Sequence, residues 1–140
     1  MRRAPVVAGV ACVALIALAG IAARATSGAT TAPTVAITIH LSRFDLPSLR
    51  VEPGQTIRFV VTNTDPIDHE LLVGDAAMQD RHEVGTEVEH GDRPGEISVP
   101  AGATVETTVT FPEELAPGWE FACHLPGHYA YGMRGPITIG

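Results

Sequence analysis

The chain has 140 residues, of which 45% are hydrophobic and 18% charged, and its formal net charge is −7 because 16 acidic residues outnumber nine basic ones. This length supports one domain with a short appendage, and the acidic balance argues against nucleic acid as a partner. Aromatic residues make up 5% of the chain, whereas 14 Gly and 11 Pro are too many turn-forming residues for a helical bundle.

Residues 1–25 are predicted to be a signal peptide or an N-terminal membrane anchor. Met1-Arg2-Arg3 is a short positive start, residues 4–23 carry no charge, and Ala23-Arg24-Ala25 fits the small-residue rule for signal cleavage. The alternative is an uncleaved anchor, because the uncharged stretch just reaches the length of a bilayer span. Either interpretation places the folded part in the periplasm or outside the cell, and cleavage would remove three arginines and change the formal charge to −10.

The remainder is predicted to be one all-β domain over residues 35–140, preceded by a flexible polar linker over residues 26–34. Short runs alternate between apolar and polar residues, as in strands with one solvated face, and turns such as Pro53-Gly54 separate them. The runs lie at residues 35–41, 49–51, 57–63, 69–73, 97–99, 105–111, 119–123 and 137–139. Seven or eight such strands predict a Greek-key β-sandwich. The polar segment 75–94 is the exception, and it is predicted to hold a helical turn or an ordered loop.

A single cysteine in an exported domain needs an explanation, because such domains normally pair their cysteines. Signal cleavage would remove Cys12 and leave Cys123 alone. Three interpretations of Cys123 compete, namely a buried inert thiol, an intermolecular disulfide, and a reactive or metal-bound thiolate. The residues that follow Cys123 favour the last interpretation.

Residues 121–133, FACHLPGHYAYGM, place a potential thiolate, an imidazole and a thioether in one loop between two predicted strands. The spacing is Cys123-x4-His128-x4-Met133, and Pro126-Gly127 supplies a turn that can swing His128 back towards Cys123. These three donors form a soft ligand set, which selects copper over hard cations.

A trigonal copper site needs a second histidine beside the cysteine, with the methionine as a long axial ligand. The candidates are His40, His69, His82, His90 and His124. His69 is favoured because it lies where a Pro-containing loop meets a strand, and non-sequential strands can be neighbours in a Greek key. His40 is predicted to face solvent and His124 to point away from Cys123. The two histidines of segment 75–94 are predicted to be solvated.

The CHLPGHYAYGM motif, with an upstream histidine at a loop–strand junction, resembles the cupredoxins, the blue copper proteins. Its Cys-x4-His-x4-Met spacing is most similar to rusticyanin-like and sulfocyanin-like members, and the resemblance extends over about residues 35–140. The resemblance implies a mononuclear type 1 site that holds one copper per chain, as Cu(I) or Cu(II). It assigns His69, Cys123 and His128 as equatorial ligands and Met133 as the axial ligand.

Two features around this motif bear on the properties of the site. Plastocyanin-like members often have Asn after the first histidine, where it ties the two ligand loops together, whereas this chain has Glu70. Glu70 is predicted to accept a hydrogen bond from the cysteine loop and to add negative charge near the metal. Four residues are candidates for an apolar collar around an exposed edge of His128; the alternative is that Leu125 and one of the tyrosines fill the core instead. These are Leu125, Pro126, Tyr129 and Tyr131.

The sequence predicts a small exported electron carrier that is not an enzyme, because this ligand set leaves no open coordination position for a substrate. Its expected partner is a transient redox protein. No nucleic acid is expected, a membrane only through an uncleaved anchor, and the chain is expected to be a monomer. An alternative function is copper sequestration or delivery, with an accessory site at Met78, His82 and His90. Two further alternatives are an enzyme with a Cys123–His128 nucleophile pair and a structural sandwich with an inert thiol.

Overall fold

The computed structural model describes residues 31–85, 90 and 93–140. Within these ranges the chain forms eight strands and one helix. They are β1 (Thr34–Ile39), β2 (Leu49–Val51), β3 (Thr56–Asn63), β4 (His69–Gly74), α1 (Ala76–Val84), β5 (Glu96–Val99), β6 (Thr104–Thr110), β7 (Glu120–Ala122) and β8 (Arg134–Ile139). The predicted all-β class is confirmed. The predicted signal or anchor segment lies outside the described residues, among which no helix combines the length and apolar character needed to cross a membrane.

The strands form two sheets that pack as a sandwich. One sheet has the order β1-β3-β6 and the other has the order β2-β8-β7-β4-β5. The pairs β1–β3 and β2–β8 are parallel, and the other pairs are antiparallel. The antiparallel register of β4 and β7 sets Leu72 opposite Ala122, so the start of β4 lies beside the end of β7. This pairing brings His69 next to the residue that follows β7, which is Cys123.

The core lies between the sheets and follows the period-2 pattern of the sequence. In β3 the side chains of Ile57, Phe59 and Val61 are at most 2% exposed, while the residues between them are half-buried. In β1, Ile37 and Ile39 join the same apolar cluster. Burying one such side chain contributes about 1.5–3 kcal/mol, so the alternation explains why these segments pair in this register.

Close packing between β7 and β8 fixes the strand that leads into the cysteine loop. Gly135 lies opposite Phe121 in the antiparallel register. A Cβ atom at Gly135 would overlap the ring of Phe121, which is fully buried. Glycine at this position therefore lets the aromatic ring lie directly on the backbone of β8.

Helix α1 is held to the sheet mainly by polar contacts. The side chain of Asp75 caps the helix by accepting a hydrogen bond of 2.9 Å from the backbone N–H of Met78. The buried face consists of Met78, Gln79 and His82. The Gln79 amide donates to the carbonyl of Glu120 at 3.0 Å. This helix lies in segment 75–94, where the sequence predicts a helical turn or an ordered loop; because its inner face is largely polar, hydrophobic periodicity does not indicate its full length.

Candidate metal centre

The three predicted equatorial ligands come together where β4 and β7 meet. His69 is the first residue of β4, Cys123 follows β7, and His128 lies in the loop between β7 and β8. One ligand atom from each lies within 4.8 Å of the others. The Sγ of Cys123 is 3.2 Å from Nδ1 of His128, and the Nδ1 atoms of the two histidines are 3.3 Å apart. His69 and Cys123 are buried, and His128 is half-buried.

The loop between β7 and β8 is closed by its own backbone. The N–H of Cys123 donates to the carbonyl of Met133 at 3.1 Å, and the N–H of Met133 donates to the carbonyl of His128 at 3.0 Å. Gly127 has a φ of +86°, which the Pro-Gly turn requires. Met133 is 1% exposed and belongs to the same apolar cluster as Cys123. The fold thus places the predicted axial ligand at the closure of the cysteine loop.

Asp65, which the sequence analysis did not single out, orients the ring of His69. Its Oδ2 accepts a hydrogen bond of 2.9 Å from Nε2 of His69, and the carboxylate also accepts from the backbone N–H groups of Leu41 and Ser42 at 2.7 Å each. Burial raises the pKa of Asp65, but these hydrogen bonds outweigh it and leave the pKa below its ordinary value. With its proton on Nε2, His69 turns the lone pair of Nδ1 towards His128.

Glu70 ties the two ligand segments together, as predicted. Its Oε1 accepts a hydrogen bond of 2.5 Å from the backbone N–H of His124, the residue after Cys123. Its Oε2 lies 2.8 Å from Nε2 of His90. Glu70 is 4% exposed, so its carboxyl group lies inside the protein next to the cluster.

The surroundings favour the neutral forms of two of the three donors, the thiol of Cys123 and the imidazole of His128. Burial raises the pKa of the Cys123 thiol to about 12, against hydrogen bonds from the backbone of Leu125 and Glu70 that lower it. Burial and the neighbouring His69 lower the pKa of His128. A cation that binds here must therefore displace the thiol proton, whereas it finds the imidazole of His128 ready to coordinate. One thiol and two imidazoles fit a copper ion by their donor chemistry.

The other histidines divide into two groups. The side chain of His40 is 69% exposed, in agreement with the prediction that it faces solvent. His124 turns towards α1, where its Nε2 lies 2.7 Å from Oε1 of Gln79, so it does point away from the cluster. The prediction that His82 and His90 are solvated is wrong. His82 is 7% exposed and the side chain of His90 is fully buried, because the two rings pack against each other and lie beside Glu96 of β5.

The predicted apolar collar around His128 is present only in part. Tyr131 is 79% exposed. Tyr129 instead stacks on His124 with ring centroids 4.4 Å apart, and its hydroxyl donates to Glu120 at 2.5 Å. Large apolar side chains are exposed on three of the loops near the cluster. They are Leu41, Ile67 and Tyr131.

Comparison with known proteins finds copper proteins that are similar to this chain. A family described as copper binding proteins of the plastocyanin/azurin family matches residues 33–140. A copper-resistant cuproprotein, CopI, from Rubrivivax gelatinosus is 37% identical over 101 residues, which cover 69% of this chain and 59% of that protein. CopI from Pseudomonas aeruginosa is 31% identical over 124 residues, which cover 66% of this chain and 67% of that protein. The chain thus spans about three fifths of the length of the Rubrivivax protein.

Solved structures share the fold. The sodium-dithionite-reduced auracyanin of the photosynthetic bacterium Roseiflexus castenholzii superposes with a TM-score of 0.60 and 25% sequence identity. The match covers 78% of this chain and 98% of the auracyanin. The similarity extends over nearly the whole of that protein, so the two share the complete sandwich and not only a strand pair.

Proposed function

Because the chain belongs to the plastocyanin/azurin family of copper-binding proteins, we propose that it holds one copper ion in a type 1 site and transfers single electrons. The proposed equatorial ligands are His69, Cys123 and His128, and the proposed axial ligand is Met133. The buried cluster of one thiol and two imidazoles within 4.8 Å carries this proposal. Bound copper supplies the Cu(II)/Cu(I) couple, and two imidazoles, a thiolate and a weak thioether suit both oxidation states.

The chain's own residues keep the donors in place when the charge of the site changes. Asp65 holds the Nε2 proton of His69, and the loop carrying Cys123 is closed by backbone hydrogen bonds. Small movement on electron transfer favours fast exchange, because little of the protein must reorganise. Such a site leaves no coordination position for a substrate, so the proposed function is not enzymatic.

A transient redox protein is the proposed partner of a monomeric, exported chain. The half-buried ring of His128 is the ligand that reaches furthest towards solvent. The exposed side chains of Leu41, Ile67 and Tyr131 lie on loops that also carry or support the cluster. Electrons would leave through the edge of His128 into a partner docked against these apolar side chains.

Copper tolerance by sequestration or delivery is a second candidate function. Two observations favour it, namely that the matched relatives are named copper-resistant cuproproteins and that further histidines cluster near Glu70. This function predicts more than one copper ion per chain and at least one ion that is released readily. An electron carrier instead needs one tightly held ion with rapid, reversible redox behaviour.

The ligand assignment is tested by adding Cu(II) to the purified protein. We expect intense visible absorption from charge transfer between sulfur and copper, together with a paramagnetic resonance spectrum of narrow copper hyperfine splitting. Cys123→Ser should abolish the colour, whereas His40→Ala should retain it because that side chain is exposed. A colourless wild-type complex, or a coloured Cys123→Ser variant, would contradict thiolate ligation.

The two functions are separated by growth in copper. A strain lacking this gene should be copper-sensitive if the protein acts in tolerance, and wild-type protein should restore growth. Restoration by Cys123→Ser would mean that tolerance does not need the type 1 site. Normal copper tolerance of the deletion strain, with loss of an electron-transfer activity, would leave the electron carrier as the function.

A further inference from the structure

A second cluster of metal-binding side chains lies beside Glu70 and contains none of the proposed copper ligands. Its members are His82 on α1, His90, and Glu96 at the start of β5. One ligand atom from each lies within 4.8 Å of the others. The rings of His82 and His90 have centroids 5.3 Å apart. The side chains are 7%, 0% and 13% exposed, so the cluster is inside the protein.

The proton on His82 is fixed by the helix itself. Its Nδ1 lies 2.8 Å from the carbonyl oxygen of Met78, which can only accept, so Nδ1 donates. In the neutral ring the lone pair is then on Nε2, which faces Oε2 of Glu96 at 3.4 Å. That distance is longer than the 2.7–2.9 Å typical of a charge-assisted hydrogen bond. Two electron-pair donors thus face each other in the arrangement that a cation bridges.

The ring of His90 is oriented by a carboxylate. Its Nε2 lies 2.8 Å from Oε2 of Glu70, so Nε2 donates and Nδ1 carries the lone pair of the neutral ring. The backbone N–H of His90 donates to Oγ of Ser98 on β5 at 3.2 Å. A histidine whose second nitrogen donates to a carboxylate is the usual support of a metal ligand.

The charge around this cluster also favours a cation. Glu70 and Glu96 bring two carboxylates into or near the interior. Arg93 pairs at 2.9 Å with Oε2 of Glu96, the same oxygen that faces His82, and so compensates part of this charge, but its side chain is 51% exposed and water screens the pair. A buried excess of negative charge is costly unless a positive group compensates for it.

We propose that His82, His90 and Glu96 form a second metal site, which binds a borderline divalent ion and prefers Cu(II) to Zn(II). Two imidazoles and one carboxylate suit both ions, and Cu(II) binds more tightly than Zn(II) to a given site of nitrogen and oxygen donors. The site contains no sulfur, so its Cu(II) complex lacks the charge-transfer colour expected at Cys123. The proposal needs neither Cys123 nor His69 and stands independently of the proposed type 1 centre.

The test counts ions and locates them. Purified protein is titrated with Cu(II) or with Zn(II), and bound metal is measured after dialysis. We expect two Cu(II) per wild-type chain, of which one is coloured and the other gives the wider hyperfine splitting of a site without thiolate. His82→Ala should retain the coloured ion and lose the other. Glu96→Gln, which preserves side-chain size, should weaken the second ion by at least about tenfold.

Two controls separate this proposal from the type 1 proposal. Glu106→Gln, on the exposed face of β6, should keep both ions. Cys123→Ser should lose the coloured ion and keep the colourless one. Zn(II) should raise the melting temperature of Cys123→Ser, and this rise should vanish in the double variant with Glu96→Gln. One coloured ion alone, or a colourless ion that persists in both His82→Ala and Glu96→Gln, would overturn the second site while leaving the type 1 centre intact.

Discussion

The two histidine clusters of this protein lie on either side of Glu70 and differ in how the chain builds them. The Cys123 cluster is carried by the ends of two paired strands and a loop closed by backbone hydrogen bonds. The His82 cluster is assembled from a helix, a segment at residue 90 and the start of β5. The first contains a thiol and the second a carboxylate. Donor chemistry, rather than burial, therefore separates the proposed redox site from the proposed site for a divalent ion.

Glu70 is the residue that the two clusters share. One oxygen accepts from the backbone of His124 beside Cys123, and the other accepts from the ring of His90. A single carboxylate thus braces the cysteine loop and fixes the proton of a histidine in the other cluster. Substitutions near Glu70 can be sorted by which of these two bonds they break.

Asp65→Asn should show the largest difference between the clusters, because it should weaken metal binding only at the Cys123 cluster. The amide cannot supply the charge that holds the Nε2 proton of His69, so this ligand loses its fixed orientation. We expect copper at the Cys123 cluster to bind about 10- to 100-fold more weakly, as for other carboxylates that orient a ligand histidine. Competition with a colorimetric chelator measures this change. Asp68→Asn, in the same loop but exposed, is the control, and an equal loss there would show a general loop effect.

The part of the fold that the sequence predicted is the part encoded locally. Alternation in β3 and the contiguous run from Cys123 to Met133 each carry their information within a few residues. The place of His69 is not encoded locally, because its position beside Cys123 depends on the pairing of β4 with β7. The structure places His69 in the Cys123 cluster, and the sequence indicated this position because a loop–strand junction constrains which end of the sheet a residue reaches.

The features that the sequence did not predict depend on contacts between distant segments. In the sequence, nothing distinguishes Asp65 from other loop aspartates. Its position depends on the backbone N–H groups of Leu41 and Ser42, which donate hydrogen bonds to it, and both of these residues have a φ of 52°. His82 lies in a helix with a polar inner face, where burial depends on partners such as Glu96. Hydrophobic periodicity cannot reveal a side chain that is buried by polar contacts.

Alkaline pH should act on the Cys123 cluster and not on the His82 cluster, which has no thiol. Folding raises the pKa of Cys123 from 9.0 to about 12. Between these values the unfolded chain has lost the thiol proton while the folded chain keeps it, so the stability present below pH 9.0 is lost as the pH rises. Metal-free protein should lose about 2 kcal/mol between pH 9 and pH 10.5.

Urea unfolding of the metal-free protein at pH 8 and pH 10.5 measures this loss. Cys123→Ser has no thiol proton, so its stability should depend much less on pH in this range. The pKa of Tyr129 is also raised, by burial and by its hydrogen bond to Glu120, and contributes with the same sign. Tyr129→Phe therefore serves as the second control. Equal alkaline losses in wild type and Cys123→Ser would contradict a buried, protonated thiol.

Glu70→Gln should also affect metal binding at the two clusters differently, but the effect should be smaller than that of Asp65→Asn. The carbonyl of the introduced amide can still accept from the backbone of His124, so the cysteine loop should keep its closure and the copper its colour. The NH₂ group of that amide, however, cannot accept the proton that Nε2 of His90 donates to the carboxylate. We expect metal affinity at the His82 cluster to fall about tenfold. Dialysis with Zn(II) measures it, and Glu106→Gln is the control.

Met133→Gln should have the smallest effect, on the potential of the Cys123 cluster alone. An amide oxygen is a harder axial donor than a thioether, so it favours Cu(II) and lowers the reduction potential. Each tenfold gain in relative affinity for Cu(II) corresponds to a decrease of about 59 mV for one electron. Met133→Leu removes the donor and should shift the potential upwards, with the colour kept in both variants. Voltammetry measures both shifts, and Met78→Leu should leave the potential unchanged because that residue packs on Gly74. An unchanged potential in Met133→Gln would mean that Met133 is a core residue and not an axial ligand.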